Sequence, residues 1–325
     1  MRFSLAPVQS LQQFDDLVRQ SMLAETLGFD ALWIHEHHSG GIMYPSPLTV
    51  LSFLAGKTKY IELGTNMLIL PLHHPLRVAE EGALVDAQSD GRLRLGVSAG
   101  YSEADLNAFN VDRRDIGNIM EEGLSLIRAV WTRDNVTIND RFSHLKDFTL
   151  FPRPVRRPSP PIYVGATVDA AVRRAARLGD EFLISTTQKK DDLLRILSVY
   201  DSELRSAGKN PKEKITTLNR IVLVVDSRSE KEDAERFFTE HFLKLYETWG
   251  HSNVTGLVEN ARTPEQIVRD HFIIGEYAEC IDLFVQYEQL GIGEISCLMN
   301  FGSPDLDKVD KSLRLMAKHV LPYFK

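Results

Sequence analysis

The stretch Leu27-Gly28-Phe29-Asp30-Ala31-Leu32-Trp33-Ile34-His35-Glu36-His37-His38 decides how the chain is read. A helix-period segment stops at Gly28, an apolar run of strand length follows, and that run ends in imidazoles and a carboxylate. Barrel and open α/β enzymes keep their chemistry at the carboxyl ends of strands. An imidazole exchanges a proton near neutral pH and an adjacent carboxylate fixes its tautomer, so Glu36, His37 and His38 are the catalytic candidates.

The same alternation recurs on both sides of this stretch. Apolar runs at 3–8, 31–34, 61–70, 93–98, 162–166, 182–186, 218–226 and 294–299 alternate with amphipathic segments at 14–27, 47–57, 76–88, 121–131, 168–178, 191–207, 229–246 and 277–290. Gly28, Gly179, Gly208 and Gly291 stand just past four of those segments, where a helix stops. Strand-then-helix units joined by right-handed crossovers close most economically into an α/β (β/α)8 TIM barrel, with a doubly wound sheet as the alternative. The whole chain, 1–325, then forms one barrel domain with insertions after strands 4 and 7. The first, 135–161, holds a hairpin at 136–142 and a run from Phe151 to Pro161 that its prolines keep extended. In the second, 248–263, Gly250, Asn253, Gly256 and Asn260 interrupt the helical pattern. Long loops at strand ends serve as lids or pocket walls.

Composition narrows the partners. The 325 residues are 43% hydrophobic and 26% charged, with a net charge of −7. Such a chain buries a large core, and its acidic balance lacks the basic face that nucleic acid or an anionic membrane surface requires. Small molecules are the expected partners. Cys280 and Cys297 are too few for a disulfide framework or a thiolate metal cluster and fit a reducing compartment. With no signal-like start and no apolar run of membrane-spanning length, a cytoplasmic location is expected.

Further segments carry a family likeness by their order and spacing. They are Gly64-Thr65-Asn66-Met67-Leu68-Ile69-Leu70-Pro71 with His74-Pro75, then Ala79-Glu80-Glu81, Asp86 and Ser89-Asp90-Gly91-Arg92. Gly96-Val97-Ser98-Ala99-Gly100-Tyr101 with Phe109, Pro161-Ile162-Tyr163-Val164-Gly165-Ala166 and Val320-Leu321-Pro322-Tyr323 complete the set. Together with the opening stretch they resemble the bacterial luciferase-like, flavin-dependent monooxygenases nearly end to end. The resemblance implies FMN at the carboxyl end of the barrel, used as FMNH2 that a separate flavin reductase supplies as co-substrate. Reduced flavin then reacts with O2 at its C4a carbon, and the peroxyflavin oxygenates an aldehyde, a ketone or another small organic substrate. Family members are often homodimers.

Carried over by position, His37 handles the proton near the flavin while Glu36 and His38 orient it. Asn66, Met67, Ala99, Tyr101, Val164, Gly165, Ala166 and Thr167 then line the cofactor, with a non-proline cis peptide expected between Asn66 and Met67. Gly165 and the amides of Ala166, Thr167 and Val168, opening the next helix, form the expected phosphate cradle. Here the chain departs from the family: Ala99 replaces one arginine, a second is missing near Gly117, and Arg113, Arg114, Arg173 and Arg174 are the nearby substitutes. Without a bidentate arginine, phosphate binding leans on backbone donors, which keeps a deazaflavin open as an alternative cofactor.

Two other readings compete. One is hydride transfer with deazaflavin or FMN and no oxygen insertion. The other follows from His35-x-His37, a spacing shared with metal-dependent hydrolases built on the same barrel, although the ends of strands five and six offer no imidazole and only His73 and His74 remain. No metal is therefore expected. The substrate pocket is expected to draw on Gln9 and on residues 39–44, 101–107 and 249–274, with Gly40, Gly41 and Gly250 as hinges. Met43, Tyr44, Tyr101, Phe109 and Trp249 favour an apolar or aromatic substrate.

Overall fold

Ala31–Ile34 is buried at every position, as a parallel strand covered on both faces must be. In the computed structural model, residues 1–38, 43–248, 263–301 and 305–325 are described. Their strands in chain order are β1 (Arg2–Ala6), β2 (Ala31–Ile34), β3 (Glu62–Thr65), β4 (Leu68–Ile69), β5 (Leu93–Ser98), β6 (Val136–Asn139), β7 (His144–Phe148), β8 (Ile162–Gly165), β9 (Glu181–Ile184), β10 (Thr216–Val225), β11 (Phe272–Glu276) and β12 (Glu294–Leu298). The parallel sequence β1-β2-β3-β5-β8-β9-β10-β12 returns to β1 through the β1–β12 pairing, so the sheet is closed. This is the eight-stranded TIM barrel the sequence predicts, and a doubly wound sheet, which is open, is excluded.

Interior side chains stack in layers. Trp33, Tyr163 and Leu183 cluster across the bore with Met67 against them. Gly64 makes room for this, since a Cβ there would stand 2.2 Å from the Trp33 ring. Towards the amino end lies a buried ion pair, Arg94 Nη1 to Glu294 Oε2 at 2.7 Å. One pleat towards the carboxyl end, Asn66 Nδ2 donates to Asn219 Oδ1 at 2.7 Å and Asn219 Nδ2 returns a bond to Asn66 Oδ1 at 3.1 Å. These amides close the bore beneath the mouth.

The structure redraws several predicted segments. The strand expected over 61–70 is broken: β3 ends at Thr65, the Asn66–Met67 peptide is cis as the resemblance led us to expect, and β4 then pairs with β5. The hairpin extends beyond 142, because β6 pairs with β7. Within the stretch expected to be a pocket-wall loop over 101–107, Glu103–Ala108 is a helix. Within 249–274, residues 249–262 lie outside the described residues. The remainder forms the helix Pro264–His271 and β11, which extends the sheet beside β10. No helix among the described residues is long and apolar enough to cross a membrane. Cys280 and Cys297 are buried thiols.

Candidate active site

The chain leaves β2 at the barrel mouth and is tied there by backbone bonds: His37 N–H donates to Tyr44 O at 3.2 Å and Met43 N–H to Gln9 O at 2.8 Å. Glu36 is the hub. Its Oε1 meets His38 Nε2 at 2.7 Å and His73 Nε2 at 2.9 Å, and its Oε2 accepts from Ile69 N–H at 3.1 Å. One fully buried carboxylate thus joins the segments after β2 and β4. The ligating atoms of Glu36, His38 and His73 lie within 4.8 Å of one another. Three donors already satisfy the carboxylate as hydrogen bonds.

The orienting role expected of Glu36 therefore falls on His38 and His73, and His37 joins the cluster through the chain. His37 itself is buried, 7% exposed. His73, which sequence reasoning left aside unless it turned inward, does turn to Glu36, whereas His74 caps the helix Pro75–Gln88 by accepting from Leu76 N–H. The His38 ring also packs at a tilt against Phe109, with centroids 4.8 Å apart and the planes at 60°, tying in the segment after β5.

His35 plays a separate part. Its backbone N–H donates to Gln9 Oε1 at 2.7 Å, which leaves Gln9 Nε2–H to donate to His35 Nδ1 at 2.9 Å. That pairing puts the ring proton on Nε2. Burial holds the imidazole down at about 4, so His35 is neutral at pH 7. Between about pH 6.5 and 4 the unfolded chain takes up a proton that the folded site refuses, and stability falls as pH falls through that window. Discounted for partial exposure, this histidine contributes on the order of 2 kcal/mol to the acid limb. Urea unfolding of His35→Asn at pH 7 and pH 4.5 should lose correspondingly less stability on acidification than the parent; equal losses in both would refute this assignment.

The predicted flavin-lining residues divide by position. Asn66 points into the bore and is spent on Asn219. Met67 fills the place that Gly165 leaves vacant, since a Cβ at 165 would stand 1.8 Å from its Sδ. Val164 is buried in the main core, its Cγ2 close to Gly179, so only its backbone faces the strand end. Ala166 is buried and Thr167 half-buried at the turn after β8, with Thr167 O accepting from Arg195 Nη2 at 3.4 Å. Ala99 is half-buried beside Gly100, whose φ of 74° suits glycine. Tyr101 and Met43 pack against an apolar cluster that includes Ala6, Ile221, Leu298 and Phe301. Trp249, Gly250, Gly40 and Gly41 lie outside the described residues. Sequence reasoning missed Asn219, because nothing local marks a strand residue as facing the bore of a closed barrel, and Arg195, which reaches Thr167 O from the helix Lys190–Ser206.

Of the four arginines considered for the phosphate, three lie on exposed pairs: Arg113 with Glu103, Arg114 with Asp112 and Arg173 with Glu203. Arg174 alone of these is largely buried, with its side chain 17% exposed and Nε on Glu121 at 3.1 Å. The helix after the β8 turn, Asp169–Leu178, begins without a side-chain cap, so its first amides are donors at the mouth. The turn, the uncapped amides and this guanidinium fit a phosphorylated cofactor.

The chain is 27% identical over 331 residues to the oxygenase component of the flavin-dependent trigonelline monooxygenase of Acinetobacter baylyi, covering 96% of this chain and 90% of that protein. It is 33% identical over 192 residues to an F420-dependent glucose-6-phosphate dehydrogenase of Beutenbergia cavernae, covering 56% of each. Its fold matches the oxygenating constituent of 3,6-diketocamphane monooxygenase from a Pseudomonas putida plasmid, solved with FMN, with a TM-score of 0.83 at 20% identity over 99% of this chain and 98% of that one. The model of the luciferase-like monooxygenases matches residues 1–294, and the chain belongs to that family.

Proposed function

We propose that this protein is the oxygenase component of a two-component monooxygenase. It takes reduced FMN from a separate reductase and uses O2 to oxygenate a small aldehyde, ketone or other apolar or aromatic substrate. The observation that carries this reading is the imidazole cluster built on Glu36 at the mouth, in the same barrel end as the uncapped helix start after β8. The flavin, when bound, supplies the electrons that activate O2. The residues do the rest. The β8 turn and its helix amides anchor the phosphate, and the Asn66–Asn219 layer with Trp33 forms a floor. His37 is assigned the proton, while Glu36 fixes the neighbouring segments through His38 and His73. The apolar cluster behind Met43 and Tyr101 would exclude water and favour a substrate without charge.

The trigonelline relative, described as an oxygenase component, supports a reductase partner. A second reading, hydride transfer to or from a deazaflavin, is favoured by the F420-dependent relative. Isotope labelling separates them. Given reduced FMN, 18O2 and a panel of aldehydes, ketones and heteroaromatics, the protein should place one labelled atom in product. Unlabelled product formed in the absence of O2 would instead establish hydride transfer.

A further inference from the structure

We infer that Arg174 supplies the cation that pairs with the cofactor phosphate, reaching it across the neighbouring helix through the gap that Gly117 leaves open. This rests on the flavin reading above. Gly117 is the second residue of the helix Ile116–Thr132. A Cβ at that position would stand 2.7 Å from Arg174 Nη2, so any side chain at 117 would have to push the guanidinium aside. The absence of a side chain there and the presence of a largely buried arginine opposite are two halves of one arrangement.

Direction supports the assignment. Arg174 is five residues into the helix that starts at Asp169, about 7 Å along its axis, and long side chains on a helix lean back towards its amino end. An arginine spans about that distance, so its terminal nitrogens return towards the first turn at the barrel mouth. Glu121 holds Nε at 3.1 Å, and among the described residues that is the acceptor the guanidinium uses. The two terminal nitrogens stay available as a planar fork, which suits phosphate oxygens better than a lysine would. The helix Ile116–Thr132 runs on from the turn Arg113–Asp115, where Asp112 accepts from Arg114 N–H, so the uncapped amides at this place are those of the helix at Asp169. The guanidinium thus lies against Gly117 with Nε held by Glu121, on the helix whose uncapped start is at Asp169. The other basic group nearby, Arg195, is committed to Asp169 and to Thr167 O.

The test compares FMN with riboflavin, which lacks the phosphate, by fluorescence titration of parent, R174A, R174K and G117V proteins, each in oxidised and photoreduced form. The parent should bind FMN at least tenfold more tightly than riboflavin, with a preference that shrinks as salt is raised. In R174A the preference should fall by about tenfold or more with riboflavin affinity unchanged, which also reports an intact barrel. R174K should recover only part of it, and G117V, which displaces the guanidinium, should mimic R174A. A preference that survives R174A overturns the assignment and leaves the flavin reading standing. A parent that binds both flavins equally also overturns it. A parent that binds neither flavin, oxidised or reduced, overturns the flavin reading and the assignment with it.

Discussion

His37→Gln is expected to lower kcat by about 10²- to 10⁴-fold, the range associated with a lost general acid or base, while affinity for reduced FMN changes by less than about threefold. Glutamine nearly preserves volume at a site that is 7% exposed, so a loss of rate is not a loss of packing. The neighbouring imidazoles hold the walls of the mouth in place. His35 is neutral through burial and spends Nδ1 on Gln9; His38 and His73 both spend Nε2 on Glu36. Their substitution should act through position: His73→Asn should cost much less in kcat than His37→Gln. His37→Ala adds a readout that a structural role would not move, because exogenous imidazole should restore part of the rate if the ring carries a proton. A His37→Gln protein that keeps more than a third of the parent rate with coupled oxygen use would end the assignment.

The barrel was legible in the sequence because its signal is repeated. Strand-length apolar runs separated by helix-period segments leave few topologies, and the motif around Glu36 sits at the end of the shortest and cleanest of those runs. What the sequence could not show is which way side chains turn at the mouth. Glu36 reads as a partner for His37, yet two imidazoles from separate segments converge on it, one of them 37 residues away along the chain. Asn66 reads as a flavin contact because it lies in a family motif; the partner that occupies it, Asn219, is 153 residues distant on β10. Arg174 reads as an ordinary helix charge until Gly117 is set opposite it. Each of these depends on register between strands or helices that a single linear pattern does not encode. The strand β11 and its preceding helix were missed for a different reason. Gly250, Asn253, Gly256 and Asn260 make the whole region look irregular, although Thr263 and Gln266 form a capping box that starts a helix at Pro264.

The largest expected loss of stability comes from the other end of the bore. Arg94→Met should destabilise the fold by about 3–5 kcal/mol, because it strands a buried carboxylate instead of removing a pair. Glu294 is fully buried and holds several donors at once: Arg94 Nη1 on Oε2 at 2.7 Å, with Ser4 Oγ–H at 2.7 Å and Trp33 Nε1–H at 2.9 Å on Oε1. The guanidinium also bonds to Glu62 and lies 5.6 Å from the Trp33 ring centroid and 5.7 Å from that of Tyr163. Trp33 is therefore fixed from both its ring face and its indole N–H. It also leads, two residues on, to His35 at the mouth. Loss of the arginine should thus loosen β2 as well as lower the midpoint of urea unfolding. A double-mutant cycle separates the two contributions. Glu294→Leu alone leaves Arg94 with Glu62, and the combination with Arg94→Met removes the stranded charge. The double variant should therefore be more stable than the sum of the single losses predicts, by at least about 1 kcal/mol, as contacting charges in one network require. Strictly additive losses would mean that Arg94 and Glu294 stabilise the barrel independently and that the charge at its base is screened after all.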